Sequence, residues 1–280
     1  MPATIQGRVV AITGGARGIG RAIAARLAGE GVRVAIGDVD LAAAELTAGQ
    51  LPGDVLALEV DVSERASFEA FVDEVEERLG PLDVLVNNAG ILLVGPFLEE
   101  DDRATEREFA VNVGGVMNGM RTALPRLRER GRGQVVNIAS SASWLAPPGE
   151  VSYSATKHAV HALTDGVRKE LRGSGVELTA VFPGLVDTEL AAGTIPTRGA
   201  KLIGPDEVAE AVVDAIRDPR PEVFVPRQIG FLLRFHKALP EGARRRLDAW
   251  FAIERLTAGT SASSRAAYME RIGLARREGG

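Results

Sequence analysis

Near its N-terminus the chain reads Val9-Val10-Ala11-Ile12-Thr13-Gly14-Gly15-Ala16-Arg17-Gly18-Ile19-Gly20, an apolar run that passes directly into a glycine-rich turn. An amphipathic stretch follows over residues 18–29 and predicts a helix. Because glycine has no side chain, the backbone can turn sharply here and approach a pyrophosphate, whose charge is favoured at a helix N-terminus. The stretch therefore predicts a strand, a phosphate-binding loop and a helix. An ordinary glycine-rich turn is the alternative.

Short apolar runs alternate with longer amphipathic runs along most of the chain, which indicates a parallel α/β fold. Several predicted strands are apolar throughout, as expected when helices cover both faces of a sheet. The predicted strands are Val9–Thr13, Arg33–Gly37, Val55–Val60, Val84–Asn87, Gln134–Ala139, Leu178–Phe182 and Val223–Val225. The predicted helices lie near Gly18–Gly29, Leu41–Gln50, Arg65–Leu79, Asp102–Arg130, Ser152–Arg172 and Pro205–Arg217. We expect one Rossmann-type domain over residues 1–226 and a helical extension over residues 227–280.

The composition is that of a globular protein with one core. Hydrophobic residues make up 45% of the 280 residues and charged residues 25%. The net charge of −5 argues against a nucleic-acid-binding surface, which needs a basic stripe. The chain has no cysteine, and its three histidines do not form a metal-binding pattern. No signal peptide or apolar run of ~20 residues is apparent, so we expect a cytoplasmic protein.

The second predicted strand is followed by Asp38, eighteen residues after the last glycine of the loop. A carboxylate there would accept hydrogen bonds from the adenosine ribose of NAD. It would repel the extra phosphate of NADP, since two like charges ~4 Å apart cost up to about 4 kcal/mol at an effective dielectric constant near 20. Arg17 favours the opposite choice, because its guanidinium could pair with that phosphate. We favour NAD(H) over NADP(H), because Asp38 is expected at the ribose itself.

Tyr153 and Lys157 are four residues apart in a predicted helix, which places a phenol and an ammonium on one face. A fixed positive charge beside a tyrosine would lower the phenol pKa from about 10 towards neutral pH. The tyrosine would then be a usable general acid/base. A chance pair on a solvated helix is the alternative.

Taken together, these motifs resemble the short-chain dehydrogenase/reductase family, in an NAD-preferring form with a C-terminal extension. Further matches are Asp61-Val62, Asn87-Asn88-Ala89-Gly90, Asn112, Ser140 thirteen positions before Tyr153, and Pro183-Gly184-Leu185-Val186-Asp187-Thr188. The resemblance implies a doubly wound parallel sheet with strand order 3-2-1-4-5-6-7. It also implies a homodimer in which the helices over residues 102–130 and 152–172 pair across the interface, and we keep a homotetramer as an alternative.

The resemblance also implies roles for individual residues. Tyr153 would exchange a proton with the reacting oxygen, and Lys157 would lower its pKa and bind the nicotinamide ribose. Ser140 would orient the reacting oxygen, and Asn112 would anchor a water. Hydride would move between the nicotinamide and the substrate carbon. The implied cofactor contacts are Gly14, Arg17, Gly18, Ile19, Gly20, Asp38, Asp61, Val62, Asn88, Ala89, Gly90, Tyr153, Lys157, Pro183, Gly184, Val186 and Thr188.

Several of these residues have structural alternatives. Ser140 has serines nearby at positions 141 and 143, and serines at strand ends often serve as caps or turn residues. Asn112 could be a helix-bending residue. Asn88 is expected to join strands rather than touch the substrate, and Thr188 could be an N-cap.

The segments expected at the substrate cleft are apolar and contain no arginine or lysine to bind a carboxylate or phosphate. They are residues 91–94 and 144–148, with Phe97, Leu185, Val186 and Leu190. Each buried methylene contributes ~0.8 kcal/mol, so such a cleft selects lipophilic molecules. We predict a secondary alcohol or ketone of steroid, terpenoid, alicyclic or fatty type. The loop over residues 191–204 is predicted to be a mobile lid.

The extension after Pro226 contains two apolar faces beside arginines. They comprise Phe231, Leu232, Phe235 and Leu239, then Leu247, Trp250, Phe251 and Leu256. We favour packing over the substrate cleft or against a partner subunit, with peripheral contact with a membrane surface as the alternative. Two functions of other classes stay open: a non-catalytic dinucleotide sensor, and a membrane-docked interaction protein.

Overall fold

In the computed structural model, which describes residues 4–191, 194, 202–251, 257 and 262–274, the core is a seven-stranded sheet. The strand order is β3-β2-β1-β4-β5-β6-β7 and all neighbours are parallel, which confirms the predicted topology. The strands are β1 Val9–Thr13, β2 Arg33–Asp38, β3 Leu56–Glu59, β4 Val84–Asn87, β5 Gly133–Ile138, β6 Val176–Pro183 and β7 Glu222–Val225. The order reverses between β1 and β4, where such sheets open a crevice for ligands at the carboxyl ends of the strands.

Helices cover both faces of the sheet. They are α1 Gly18–Gly29, α2 Leu41–Ala48, α3 Arg65–Leu79, α4 Asp102–Phe109, α5 Gly115–Glu129, α6 Val151–Glu170, α7 Pro205–Arg217, α8 Arg227–Ala238, α9 Glu241–Phe251 and α10 Ala262–Arg271. Successive residues of β1 enter two different apolar clusters, with Val9 and Ala11 in one and Val10 and Ile12 in the other. All four are fully buried, which explains why the strand is apolar at every position.

The predicted helix over residues 102–130 is wrong in one respect, because it is not continuous. A π-helical turn, Ala110–Gly114, separates α4 from α5. Asn112 lies in this turn and exchanges two hydrogen bonds with the main chain of Ile91, each 2.8 Å long. The wider turn therefore ties the helix to the loop after β4. Such turns inside helices are often found at functional sites.

The C-terminal helices pack on the same domain, and the first of them, α8, is buried through a different face from the predicted one. In α8, Gly230 and Leu233 are buried, and a Cβ added at Gly230 would lie 2.6 Å from the Phe224 ring. Phe231 and Phe235, predicted on the packing face, are 78% and 50% exposed. Leu256 and most of the predicted lid lie outside the described residues. Among the helices of the described ranges, none has the length and apolarity needed to span a bilayer.

Candidate active site

A cleft of about 1710 Å³ opens at the carboxyl ends of the strands. Most of the residues predicted from the sequence line it. They are Gly14, Arg17, Gly18, Ile19, Asp38, Asp61, Val62, Asn88, Ala89, Gly90, Ser140, Tyr153, Lys157, Pro183, Gly184, Val186 and Thr188. Gly20 and Asn112 do not line the cleft but contact residues that do. Gly20 packs against the carbonyl of Gly14, and Asn112 is hydrogen-bonded to Ile91. The sequence therefore identified most of the cleft wall that the Rossmann domain supplies.

The glycine loop forms a tight cradle at one end of the cleft. Gly14 and Gly18 adopt φ angles of +63° and +52°, which favour glycine. A Cβ added at Gly14 would lie 2.8 Å from the Ala89 Cα, and one added at Gly20 would overlap the carbonyl oxygen of Gly14. The amide of Asn88 donates to the carbonyls of Thr13 (2.9 Å) and Gly14 (3.0 Å), as expected for a residue that joins strands. The loop, which opens α1, thus has the shape and donor end that suit a pyrophosphate.

The turn after β6 closes over this cradle. Gly184 donates its N–H to the carbonyl of Val225 (2.7 Å), which fixes the start of the turn on β7. The Thr188 Cγ2 would lie only 3.3 Å from a Cβ added at Gly18. Two parts of the chain that are 170 positions apart therefore meet at the N-terminus of α1, beside the loop that suits a pyrophosphate.

At the other end of the cradle the charged groups are paired with each other. The Asp38 carboxylate accepts from the N–H of Ala16 (3.1 Å), which fixes it beside the loop. Arg17 does not point freely into solvent but forms an ion pair of 2.6 Å with Asp40, and this hydrogen bond lowers the pKa of Asp40. Asp61 is paired with Arg107 (3.0 Å), a cleft residue that the sequence did not reveal.

Tyr153 and Lys157 lie on one face of α6 and are both buried, so the alternative of a solvated chance pair is wrong. The Lys157 Nζ is 5.6 Å from the centre of the Tyr153 ring and donates to the carbonyl of Ile138 (3.0 Å). The hydroxyl of Ser140 lies beside the Tyr153 phenol and acts to lower its pKa, against the effect of burial. Ser140 also caps a short turn by accepting from the N–H of Ala142 (3.1 Å). Serine, tyrosine and lysine thus converge on the same wall of the cleft.

Burial controls the ionisation of this pair. It raises the pKa of Tyr153 above its ordinary value, and the nearby carboxylate of Glu150 acts in the same direction. The pKa of Tyr153 is therefore raised and not lowered as predicted, because the phenol is removed from water. Burial also lowers the pKa of Lys157 to about 8.

The side chain of Asn112 is fully engaged with the protein. Besides its two bonds to Ile91, its amide donates to the hydroxyl of Thr156 (3.1 Å), one turn from Tyr153. It therefore joins the loop after β4 to α6. The role of Asn112 as an anchor for water stays a prediction.

Two buried glutamates beside the site were missed by the sequence reasoning. Glu108 is fully buried, its carboxylate accepts from the N–H of Leu93 (2.8 Å), and burial raises its pKa to about 7. Glu150 lines the cleft, and burial raises its pKa to about 7 as well. Its position three residues before Tyr153 was a usable signal, because residues three apart share a helix face. Within the described part of the chain, no group of acidic residues and histidines is arranged to hold a metal ion.

Helix α10 supplies a further wall that no sequence motif predicted. The hydroxyl of Tyr268 accepts from the N–H of Leu92 (2.8 Å), and Arg265 donates to the carbonyls of Leu92 (2.7 Å) and Leu190 (3.1 Å). Leu92 follows β4 and Leu190 follows β6, so one helix binds both sides of the cleft. Residues of α8, α9 and α10 therefore line the same cleft as Tyr153.

Strand order, glycine loop and cleft define a Rossmann-type fold with the site of an oxidoreductase. A family model described as short chain dehydrogenase matches residues 8–199, more than half of the chain. The protein belongs to the short-chain dehydrogenase/reductase family.

Relatives and solved structures agree with this assignment. The chain is 34% identical over 259 residues to "Probable oxidoreductase EphD" of Mycobacterium tuberculosis, with 84% of the chain but 44% of that protein covered. It thus spans less than half the length of this relative. A short-chain dehydrogenase/reductase from Burkholderia phymatum, in complex with NAD, superposes with a TM-score of 0.77 at 29% identity, covering 84% of this chain and 94% of that one. A 3-ketoacyl-(acyl-carrier-protein) reductase from Brucella melitensis, complexed with NADH, gives 0.73 at 28% identity, with coverage of 79% and 97%.

Proposed function

We propose that the protein is an NAD(H)-dependent oxidoreductase that interconverts a lipophilic secondary alcohol and its ketone. The observation that carries the proposal is the convergence of Ser140, Tyr153 and Lys157 in the cleft that also contains the glycine loop. NAD and NADH in two related structures support the choice of cofactor class. The test is formation of NADH from NAD⁺ with a panel of steroid, terpene and alicyclic alcohols. The serine, tyrosine and lysine in one cleft argue against a non-catalytic sensor, which does not need them.

Tyr153, Ser140 and Lys157 would each have a separate role in this reaction. A nicotinamide dinucleotide, when bound, would accept or supply the hydride. Tyr153 would remove the hydroxyl proton of the alcohol, or return it to the ketone oxygen in the reverse reaction. Ser140 would donate a hydrogen bond to the same oxygen and hold it in place. Lys157 would bind the nicotinamide ribose and, as a cation, favour the phenolate.

The proposed mechanism requires that the phenolate of Tyr153 become accessible when the dinucleotide binds. The chain has two tyrosines, so Tyr268→Phe leaves Tyr153 as the only phenol. Without cofactor we expect no phenolate absorbance near 295 nm through pH 10, where an exposed tyrosine is about half ionised, because burial opposes the charge. Addition of NAD⁺, which carries a positive nicotinamide, should shift the transition to lower pH. A cofactor-free midpoint below 10 would contradict the effect of burial.

The environment of Asp38 supports NAD(H) rather than NADP(H). Its carboxylate is fixed beside the loop by the N–H of Ala16, and the ion pair with Asp40 occupies the guanidinium of Arg17. A 2′-phosphate bound beside the loop would be repelled by the Asp38 carboxylate, while the Arg17 guanidinium is already paired with Asp40. We expect Asp38→Ala to reduce the preference for NAD⁺ over NADP⁺ by roughly tenfold or more, since close like charges cost up to about 4 kcal/mol. Dissociation constants for both dinucleotides measure this, and an unchanged ratio would refute the role of Asp38.

Apolar residues along the rest of the cleft support a lipophilic substrate. Ile91, Leu92, Leu145 and Leu190 of the predicted segments line it, whereas Leu93, Val94, Phe97 and Trp144 do not. The extension adds Ile229, Leu232, Leu233, Leu247 and Phe251. Homodimer or homotetramer formation is part of the proposal. Peripheral membrane contact through the extension is a second proposal, supported by the exposed rings of Phe231 and Phe235, which stack 6.4 Å apart.

A further inference from the structure

Glu150 is a buried residue whose carboxylate lines the cleft close to Tyr153. It stands immediately before α6, is 6% exposed and lines the cleft beside Tyr153. Across the ranges that the structure describes, no donor is bonded to its side chain, and it forms no cap on the helix that follows it. Buried carboxylates normally have hydrogen-bond partners, because an unsatisfied charged group is costly. The Glu150 oxygens face the cleft, where a bound ligand can donate a hydrogen bond to them.

The charges around Glu150 define the ligand chemistry that it can accept. Arg265 of α10 acts on it as a positive charge, but the Arg265 guanidinium donates to the carbonyls on the two sides of the cleft instead of forming an ion pair with Glu150. Lys157 of α6 places a second positive charge in the cleft, and the buried carboxyl of Glu108 faces the site from α4. A cationic group of a ligand would be repelled by the positive charges of Arg265 and Lys157. A neutral hydroxyl can donate to the Glu150 carboxylate without that repulsion.

The start of α6 indicates where that hydroxyl would be. Glu150 is the N-cap residue of α6 and Tyr153 is its third helical residue, and side chains at these two positions lie close together, as in a capping box. Glu150 would therefore reach a second polar group a short distance from the carbon whose oxygen meets Tyr153. The remaining wall near this position is apolar, with Leu92, Leu145 and Pro147 in the cleft.

We propose that Glu150 is a substrate-binding residue that accepts a hydrogen bond from a second hydroxyl group, so that the preferred substrate is an alicyclic diol or hydroxyketone rather than a simple alcohol. This inference rests on the proposed function for the position of the reacting oxygen. Its basis is the burial of a carboxylate that lines the cleft and its position at the start of α6, three residues before Tyr153. The raised pKa of Glu150, about 7, agrees with a group held out of water.

The test compares two ligands that differ by one hydroxyl. The protein loaded with NADH is titrated with cyclohexanol and with trans-1,4-cyclohexanediol, and NADH fluorescence reports binding without turnover. In the wild type the diol should bind roughly tenfold or more tightly, because a hydrogen bond to a charged group is gained. Glu150→Leu should reduce this ratio to about one, and Glu150→Gln, which keeps an acceptor oxygen, should retain part of it. An unchanged affinity for NADH shows that each variant is folded.

Glu189→Leu is the matched control, because Glu189 lies at the rim of the same cleft and is paired with Arg271. It should leave the ratio unchanged. The proposal is overturned if the wild type shows no preference for the diol or binds neither ligand, or if Glu150→Leu keeps the preference. Tighter binding of trans-4-aminocyclohexanol than of the diol would overturn the choice of a neutral group.

Failure of this inference can be distinguished from failure of the proposed function. Oxidation of simple alcohols without any preference for the diol would remove the role of Glu150 and leave the reaction intact. A preference for the diol that depends on Glu150, together with no NADH formation from any alcohol, would keep the site and refute the reaction.

Discussion

Replacement of Tyr153 by phenylalanine should reduce the rate of alcohol oxidation by about 10²–10⁴-fold, the usual contribution of a positioned general acid/base. The change removes one oxygen from a buried ring whose packing on α6 is otherwise kept. Only the proton transfer is lost, so the dissociation constant for NADH should be nearly unchanged. Absorbance at 340 nm measures the rate, and fluorescence titration measures the binding.

Tyr268→Phe is the matched control for this experiment, since it removes the same atom from the other tyrosine of the chain. The hydroxyl of Tyr268 accepts from the N–H of Leu92, so its loss should weaken the attachment of α10 without removing a proton donor from the reaction. We expect a rate within about tenfold of the wild type, the range of one neutral hydrogen bond. Activity of Tyr153→Phe equal to that of Tyr268→Phe would refute the assigned mechanism.

Gly20→Ala should weaken dinucleotide binding by roughly 100-fold or more. The added methyl group would overlap the carbonyl oxygen of Gly14, which is a backbone atom and cannot rotate away. Relief of this overlap must displace the loop or α1, and each hydrogen bond lost from a charged pyrophosphate costs about 1.5–3 kcal/mol. Overpacking should also lower the free energy of unfolding by about 1–3 kcal/mol. Isothermal titration with NADH and thermal unfolding measure the two effects.

Gly29→Ala tests whether the effect belongs to the loop, because Gly29 ends the same helix and nothing lies within 4 Å of an added Cβ there. This substitution should leave NADH binding unchanged and stabilise the protein by up to about 1 kcal/mol, as alanine favours a helix over glycine. Equal affinities for Gly20→Ala and Gly29→Ala would show that the cradle does not hold the dinucleotide.

The parts of the fold that depend on local pattern could be predicted from the sequence. The predicted bounds are correct for β1, α1, α3, β4 and α7. The spacing of apolar residues and the positions of glycines determine these elements locally. The π-helical turn could not be predicted, since it depends on hydrogen bonds between Asn112 and a residue 21 positions away. The buried face of α8 was assigned incorrectly for a similar reason. Several faces of α8 carry apolar residues, and only the ring of Phe224 shows which one packs.

In the candidate site, the residues of the motifs could be identified from the sequence, but the directions of their pKa shifts could not. The sequence placed Tyr153 beside Lys157 correctly, but the direction of the Tyr153 pKa depends on burial, which spacing alone does not give. Glu108 is part of the same environment and carries no motif, because an acidic residue on a helix normally faces solvent. Its burial is accompanied by a hydrogen bond from the N–H of Leu93, a residue 15 positions away that the fold brings next to it.

The junction between Leu92 and Tyr268 joins positions 176 apart in sequence. During synthesis the wall of the cleft that α10 forms is therefore completed only after this helix has left the ribosome.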